Sequence, residues 1–278
     1  MCLILPYIGG KARHSEWINS FLPQTMKLYC EPFGGMFWCY IKGTFEADEV
    51  IYNDYNKFNA NLFACAKQPN KFLTYLTKIK AQDRNLFNQF KGDILHVRDK
   101  GFNIPDFDIA TAYVYVVSQL FSGIMSEKAE MVDLKGKYTS KYYSFINKLR
   151  NKRIRKRLDR ITAHNLGYDQ IIDMYDTGDF NKKRYFYLDP PYFKKEHLYA
   201  FHEFNRDSHK ELAINLNSLK SRWILSYYEY DELNEWFQQD KYIWVKKDYC
   251  KSSMALKGKA QSVGTELLVM NYRNTYTF

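Results

Sequence analysis

The 278-residue chain contains five cysteines, Cys2, Cys30, Cys39, Cys65 and Cys250, and no two of them form a CxxC pair. An odd number of scattered thiols argues against a disulfide scaffold. The absence of any His cluster at zinc spacing argues against a structural metal. No stretch approaches the roughly 18 apolar residues of a membrane span. Residues 1–7 lack the basic region and apolar stretch of a signal peptide. Internal repeats and low-complexity tracts are also missing. The expectation is a reduced, soluble protein of the cytoplasm with no membrane contact. What is present is a hydrophobic fraction of 46%, enough for one large core or a core with a satellite domain. Lys and Arg outnumber Asp and Glu by 41 to 31, and the resulting charge of +10 favours a polyanionic partner.

Strand-like and helix-like segments alternate, which implies βα units and a mostly parallel, doubly wound sheet. Strands are expected at residues 27–31, 49–53, 161–165, 185–188, 222–226, 242–246 and 266–271, the sheet including one antiparallel edge strand. Helices are expected at residues 168–175, 207–219 and 231–238. Residues 59–159 break this rhythm: they read as a helical insertion about the size of a small domain, with a long apolar-rich segment at 109–121. Catalytic-domain segments would then be 1–58 and 160–278. Near its end the insertion carries Lys152, Arg153, Arg155, Lys156 and Arg157, in a run whose only acid is Asp159. Such a run is a candidate phosphate-binding face, although 3.6 residues per turn would spread its cations around a helix.

Three motifs carry chemistry. Tyr187-Leu188 leads into Asp189-Pro190-Pro191-Tyr192, a strand that delivers a carboxylate, two stiff prolines and an aromatic ring to its carboxyl end. Proline fixes φ and lacks a donor, so this shelf offers acceptors for an exocyclic amine and a ring on which its base can stack. Glu31-Pro32-Phe33-Gly34-Gly35 is a strand running into a glycine turn, and Asn53-Asp54 ends the next strand about twenty residues on. That offset is where nucleoside-binding α/β folds hold ribose hydroxyls. Upstream, Tyr7-Ile8-Gly9-Gly10-Lys11 reads as a lid over the cofactor, with Lys11 reaching its carboxylate. His197, His202 and His209 lack metal-ligand spacing, and His209 falls in the first turn of a helix. Ser226, Tyr227 and Tyr228 end a strand beside the expected site.

Taken in order, Pro6-Tyr7-Ile8-Gly9-Gly10-Lys11, Glu31-Pro32-Phe33-Gly34-Gly35, Asn53-Asp54 and Asp189-Pro190-Pro191-Tyr192 resemble the Dam-type DNA adenine-N6 methyltransferases. Glu266-Leu267-Leu268-Val269-Met270-Asn271-Tyr272 is similar to that family's last strand. The resemblance implies a methyltransferase Rossmann-like fold with a target-recognition insertion between the glycine and catalytic motifs. It implies S-adenosylmethionine as cofactor, touched by Tyr7, Lys11, Asp54 and Asp189, with Phe33, Gly35 and Tyr168 beside it. It implies a target adenine held by Asp189, Pro190 and Tyr192 in double-stranded DNA, with a cognate restriction endonuclease as a further partner. Two positions depart from the family pattern: Phe37 stands where a third glycine is common, and Gly167-Tyr168 where many members have an acidic-aromatic pair. Cytosine-N4 methyltransferases more often begin the shelf with Ser, so Asp189 disfavours them. An RNA adenine methyltransferase or a non-catalytic DNA-binding module on the same fold remain as alternatives.

Overall fold

Alternate residues of each central strand face opposite apolar layers, which is why these strands read as continuous apolar runs. In a computed structural model, Tyr29, Tyr52, Tyr187, Ile224 and Leu268 enter one buried cluster, while Cys30, Ile51, Phe186, Leu225 and Val269 enter the other. The structure describes residue 5 and residues 10–120, 123, 125, 128–132, 139–196, 204–250 and 263–273. Its strands are β1 (Thr25–Glu31), β2 (Glu46–Asn53), β3 (Ile161–His164), β4 (Arg184–Leu188), β5 (Arg222–Tyr227), β6 (Ile243–Cys250) and β7 (Val263–Met270). They form a seven-stranded sheet in the order β3-β2-β1-β4-β5-β7-β6. The expected α/β fold is observed, a mixed, mostly parallel sheet with helices on both faces.

The expected antiparallel edge strand needs correction. The strand that runs antiparallel to its neighbours is β7, and it lies inside the sheet between β5 and β6. Burial decides the placement: Leu267, Leu268, Val269 and Met270 are all buried, whereas β6 carries the exposed Lys246, Lys247 and Asp248. The apolar strand takes the interior, and the charged one blunts the edge.

On one face, α9 (Tyr168–Tyr175), α10 (Arg206–Ser218) and α11 (Asp231–Trp236) supply Ile171, Leu212, Leu216 and Leu233 to the core. The other face carries α1 (Ser15–Asn19) and α2 (Trp38–Lys42), together with the helices between β2 and β3. Those are α3 (Lys57–Ala66), α4 (Pro69–Leu76), α5 (Arg84–Lys100), α6 (Phe107–Ser118), α7 (Thr139–Leu149) and α8 (Lys152–Leu158). Among the described residues of 59–159 no strand occurs. Helix α6 packs on α3, α4, α5 and α7, which explains why it is apolar nearly all round. Phe58, Leu62, Val114, Phe145 and Leu158 join the same buried cluster as Tyr29 and Tyr52, so these helices and the sheet share one core. None of the described helices is long and apolar enough to cross a membrane.

Candidate active site

Strand order reverses between β1 and β4, and in open α/β sheets such a switch point opens a crevice at the strands' carboxyl ends. The motifs on Glu31–Gly35 and Asp189–Tyr192 leave the sheet there, from adjacent parallel strands. The glycine turn is packed against the end of β2. A Cβ on Gly34 would come within 2.4 Å of the Tyr52 ring and 2.8 Å of the Asn53 carbonyl, so no side chain fits. Gly35 has φ +48, in the left-handed region that glycine tolerates. Phe37, the departure from the family pattern, is also left-handed, with φ 54 and ψ 40. Its backbone does what a glycine there would do, and its ring is wholly buried against Tyr29, Tyr40, Tyr52 and Phe63.

Asp54 holds this turn in shape. Its Oδ2 accepts from the Gly35 N–H at 2.7 Å and from Asn59 Nδ2 at 3.2 Å, while Oδ1 accepts from the Asn56 N–H at 2.7 Å. A carboxylate offers about four lone-pair sites, so room for one hydroxyl donor is left. Burial pushes the Asp54 carboxyl up to about 6, against the pull of these three hydrogen bonds. Asn53 ties the neighbouring loops together: its Nδ2 donates to the carbonyls of Pro32 (2.8 Å) and Leu166 (3.0 Å), and its Oδ1 accepts from the Leu166 N–H (2.9 Å). This staple brings half-buried Phe33 and Tyr168 together with ring centroids 5.2 Å apart and planes 26° apart. Phe204 closes edge-on against both. The two rings are too close to admit a base between them.

The catalytic shelf is joined to the N-terminal segment. Lys11, in a short 3-10 turn (Lys11–Arg13), is buried and places Nζ 2.7 Å from Asp189 Oδ1. The same ammonium lies 3.5 Å from Glu266 Oε1 and 4.5 Å from the centroid of the Tyr192 ring. The Tyr192 hydroxyl donates to Glu266 Oε1. Burial pushes Asp189 up to about 6; Lys11 draws it down, the neighbouring Glu266 raises it, and hydrogen bonds from Lys11 and Tyr192 lower it further. Behind the shelf, the Tyr228 hydroxyl donates to the Phe193 carbonyl. His209, in the first turn of α10, bridges Tyr227 (2.6 Å) and Glu196 (2.8 Å). The loop after Asp189 is therefore anchored at Phe193 and Glu196.

The structure thus gathers Lys11, Phe33, Gly35, Asp54, Tyr168, Asp189, Pro190 and Tyr192 along one edge of the sheet, whereas Tyr7 lies outside the described residues, as do His197 and His202. The basic run, residues 147–160, does not form one face. It is broken at Asn151, whose side chain caps α8 by accepting from the N–H groups of Arg153 and Ile154. Lys152, Arg153 and Lys156 are exposed. Arg155 is half-buried and bonded to the Leu149 carbonyl and Asn70. Arg157, expected at phosphates, points inward: it is 8% exposed, and its guanidinium lies 4.0 Å from the Tyr40 ring centroid. The helical period that exposes its neighbours turns it to the core. Among the described residues no group of three or more His, Cys, Asp or Glu could hold a metal ion. Glu266 opens the segment similar to the family's last strand, but its sequence signal, a lone acid ahead of the apolar Leu267–Met270, gives it no site role.

The family model for the D12 class N6 adenine-specific DNA methyltransferases matches residues 7–250. No curated protein matches the chain significantly. The matched span includes the glycine turn, Asp54 and the Asp189–Tyr192 shelf, and the chain belongs to this family: it is an adenine-specific DNA methyltransferase of a class that uses S-adenosylmethionine.

Proposed function

We propose that the crevice between the β1 and β4 loops holds S-adenosylmethionine on the β1–β3 side and an extruded adenine over the Asp189 shelf. The observation that carries this reading is the Lys11–Asp189 pair, largely shielded from water, at the end of the strand next to the one that leads into the glycine turn. Asp54 would take a ribose hydroxyl with its remaining lone pair, Phe33 and Tyr168 would pack together against one side of the adenosine, and Gly35 would let the backbone approach. Lys11 would meet the cofactor's carboxylate; Tyr7 joins this set by resemblance alone. The cofactor supplies an electrophilic methyl group on a sulfonium sulfur.

Adenine N6 is a poor nucleophile because its lone pair is delocalised into the ring. Asp189 and the Pro190 carbonyl would accept from the amine, favouring a more tetrahedral nitrogen aimed at the methyl group. Positioning and electrostatics then carry most of the rate. Extruding the base costs a few kcal/mol, and stacking on Tyr192, worth about 1–3 kcal/mol, offsets much of it.

The substrate we propose is duplex DNA in the cytoplasm. The helices of residues 59–159 would recognise the target, with Lys152, Arg153 and Lys156 on phosphates, and a restriction endonuclease would share the site. Long-read modification mapping of DNA from expressing cells tests this. N6-methyladenine within one fixed context is expected, and disappears with Asp189→Ala. Methylation confined to single strands or to RNA would overturn the duplex assignment.

A further inference from the structure

Glu266 is 4% exposed and faces groups from three separate segments. Its Oε1 accepts from the Tyr192 hydroxyl, lies 3.3 Å from Ser226 Oγ, and lies 3.5 Å from Lys11 Nζ. Asp189, His14 and Tyr249 also feel its charge, and Lys247 stands opposite it in register on β6.

Lys11 occupies a telling position: a nitrogen donor 2.7 Å from Asp189 that also lies over the Tyr192 ring. Those are the two interactions proposed for the target base, whose amine would bond Asp189 and whose ring would lie on Tyr192. An ammonium and a purine cannot hold the same place, so Lys11 has to leave Asp189 before the adenine can enter. A buried ammonium withdrawn from one carboxylate needs another, because an unpaired charge in a site shielded from water is costly. Glu266 is within a short swing of Nζ. The lysine's three donors also let it span Glu266 and the cofactor's carboxylate together.

We propose that Glu266 is a positioning residue of the methyl-transfer site: it receives Lys11 when adenine displaces it from Asp189, and holds Tyr192 by its hydroxyl at the stacking position. This inference rests on the roles given above to Asp189 and Tyr192. Glu266→Gln keeps the shape and an acceptor for Tyr192 but removes the charge. Lys11 then has Asp189 as its main counter-ion and competes with the incoming amine.

The experiment measures kcat at saturating DNA and S-adenosylmethionine, and kcat/KM for DNA across pH, with cofactor affinity by calorimetry and Tm on the same samples. For Glu266→Gln the expected result is a plateau rate reduced about ten- to a hundredfold. The acid limb of its kcat/KM moves to lower pH, because in the free enzyme Asp189 has lost a like-charged neighbour and gained a tighter cation. Cofactor affinity should stay within about threefold of wild type. A lowered plateau with an unmoved limb would mean a merely structural role and would overturn the proposal, as would wild-type kinetics. Should that variant fail to fold, Tyr192→Phe keeps the ring and removes the hydroxyl that Glu266 holds. A rate reduced at least fivefold, with unchanged cofactor affinity, is then expected, and a wild-type rate overturns the proposal. The wild-type product, identified in the same assay, tests the adenine reading separately. Loss of that reading would appear as missing N6-methyladenine in wild type, whereas failure of this inference leaves wild type active.

Discussion

The Lys11 ammonium lies 2.7 Å from Oδ1 of Asp189, and both groups are largely shielded from water. The N-terminal segment and the central strand are thereby joined through the carboxylate proposed to hold the substrate amine. The pair keeps Asp189 ionised in a place where burial favours the neutral acid.

Asp189 is pushed up to about 6, and only its ionised form offers both oxygens as acceptors. The value of kcat/KM is therefore expected to fall as pH drops through about 6. Lys11 lowers the Asp189 pKa, so Lys11→Ala should raise it and move the acid limb toward neutrality, opposite to the effect of Glu266→Gln. Profiles of kcat/KM against pH, which report the free enzyme in which Lys11 pairs with Asp189, check both directions. Asp189→Ala should leave less than a tenth of wild-type kcat in folded protein.

Asp54 braces the glycine turn and is the residue proposed to hold the ribose, so Asp54→Ala should act twice. Loss of a charge-assisted hydrogen bond, worth about 1.5–3 kcal/mol, should weaken S-adenosylmethionine binding about ten- to a hundredfold. The N–H groups of Gly35 and Asn56 would also lose their acceptor, and Tm should drop. DNA affinity should change little. Calorimetric titration with a parallel thermal melt checks this, and unaltered cofactor affinity would refute the assignment.

The exposed cations of α8 and the buried one should behave differently. Replacing Lys152, Arg153 and Lys156 by Ser should flatten the slope of log K for DNA against log[salt] by about 2–3, near 0.9 for each phosphate that the protein no longer neutralises. Cofactor binding and Tm should hold. Arg157→Ser should leave that slope alone and lower Tm instead, because it removes a guanidinium packed on Tyr40 and Phe45. A wild-type slope in the triple variant would place the DNA surface elsewhere.

Phe37→Gly sets backbone strain against packing. Relief of a left-handed non-glycine residue is worth about 1–3 kcal/mol, and removal of a buried phenyl ring costs about 3–5 kcal/mol or more. The variant should be destabilised by about 2 kcal/mol, despite restoring the residue common in the family. Denaturant unfolding gives the sign.

The strands and the two loops at Gly34-Gly35 and Asp189–Tyr192 are legible in the sequence, because each is a local signal. A strand buried on both faces, such as Tyr185–Leu188, writes an unbroken apolar run, and the Gly34-Gly35 and Pro190-Pro191 turns follow from backbone stereochemistry. Helix boundaries are close too: Tyr168–Tyr175 is found over the expected residues, while α11 ends two residues earlier, at Trp236. The placement of β7 is not legible, since strand order depends on which partner each strand buries itself against.

The sequence by itself determined the αβ alternation, the helical character of the described residues of 59–159, and the residue types at the end of each strand. Tertiary structure alone decided which of them meet. Tyr192 and Glu266 are 74 positions apart, and only β7's insertion beside β5 brings that carboxylate to the shelf. Lys11 reaches Asp189 because its 3-10 turn packs against α1 and α2, an arrangement no local pattern encodes. Likewise, the five basic residues of 152–157 look alike in sequence, but the one helix face that packs on Tyr40 divides phosphate candidates from core. Local propensity sets what each segment is, and long-range burial sets what it touches.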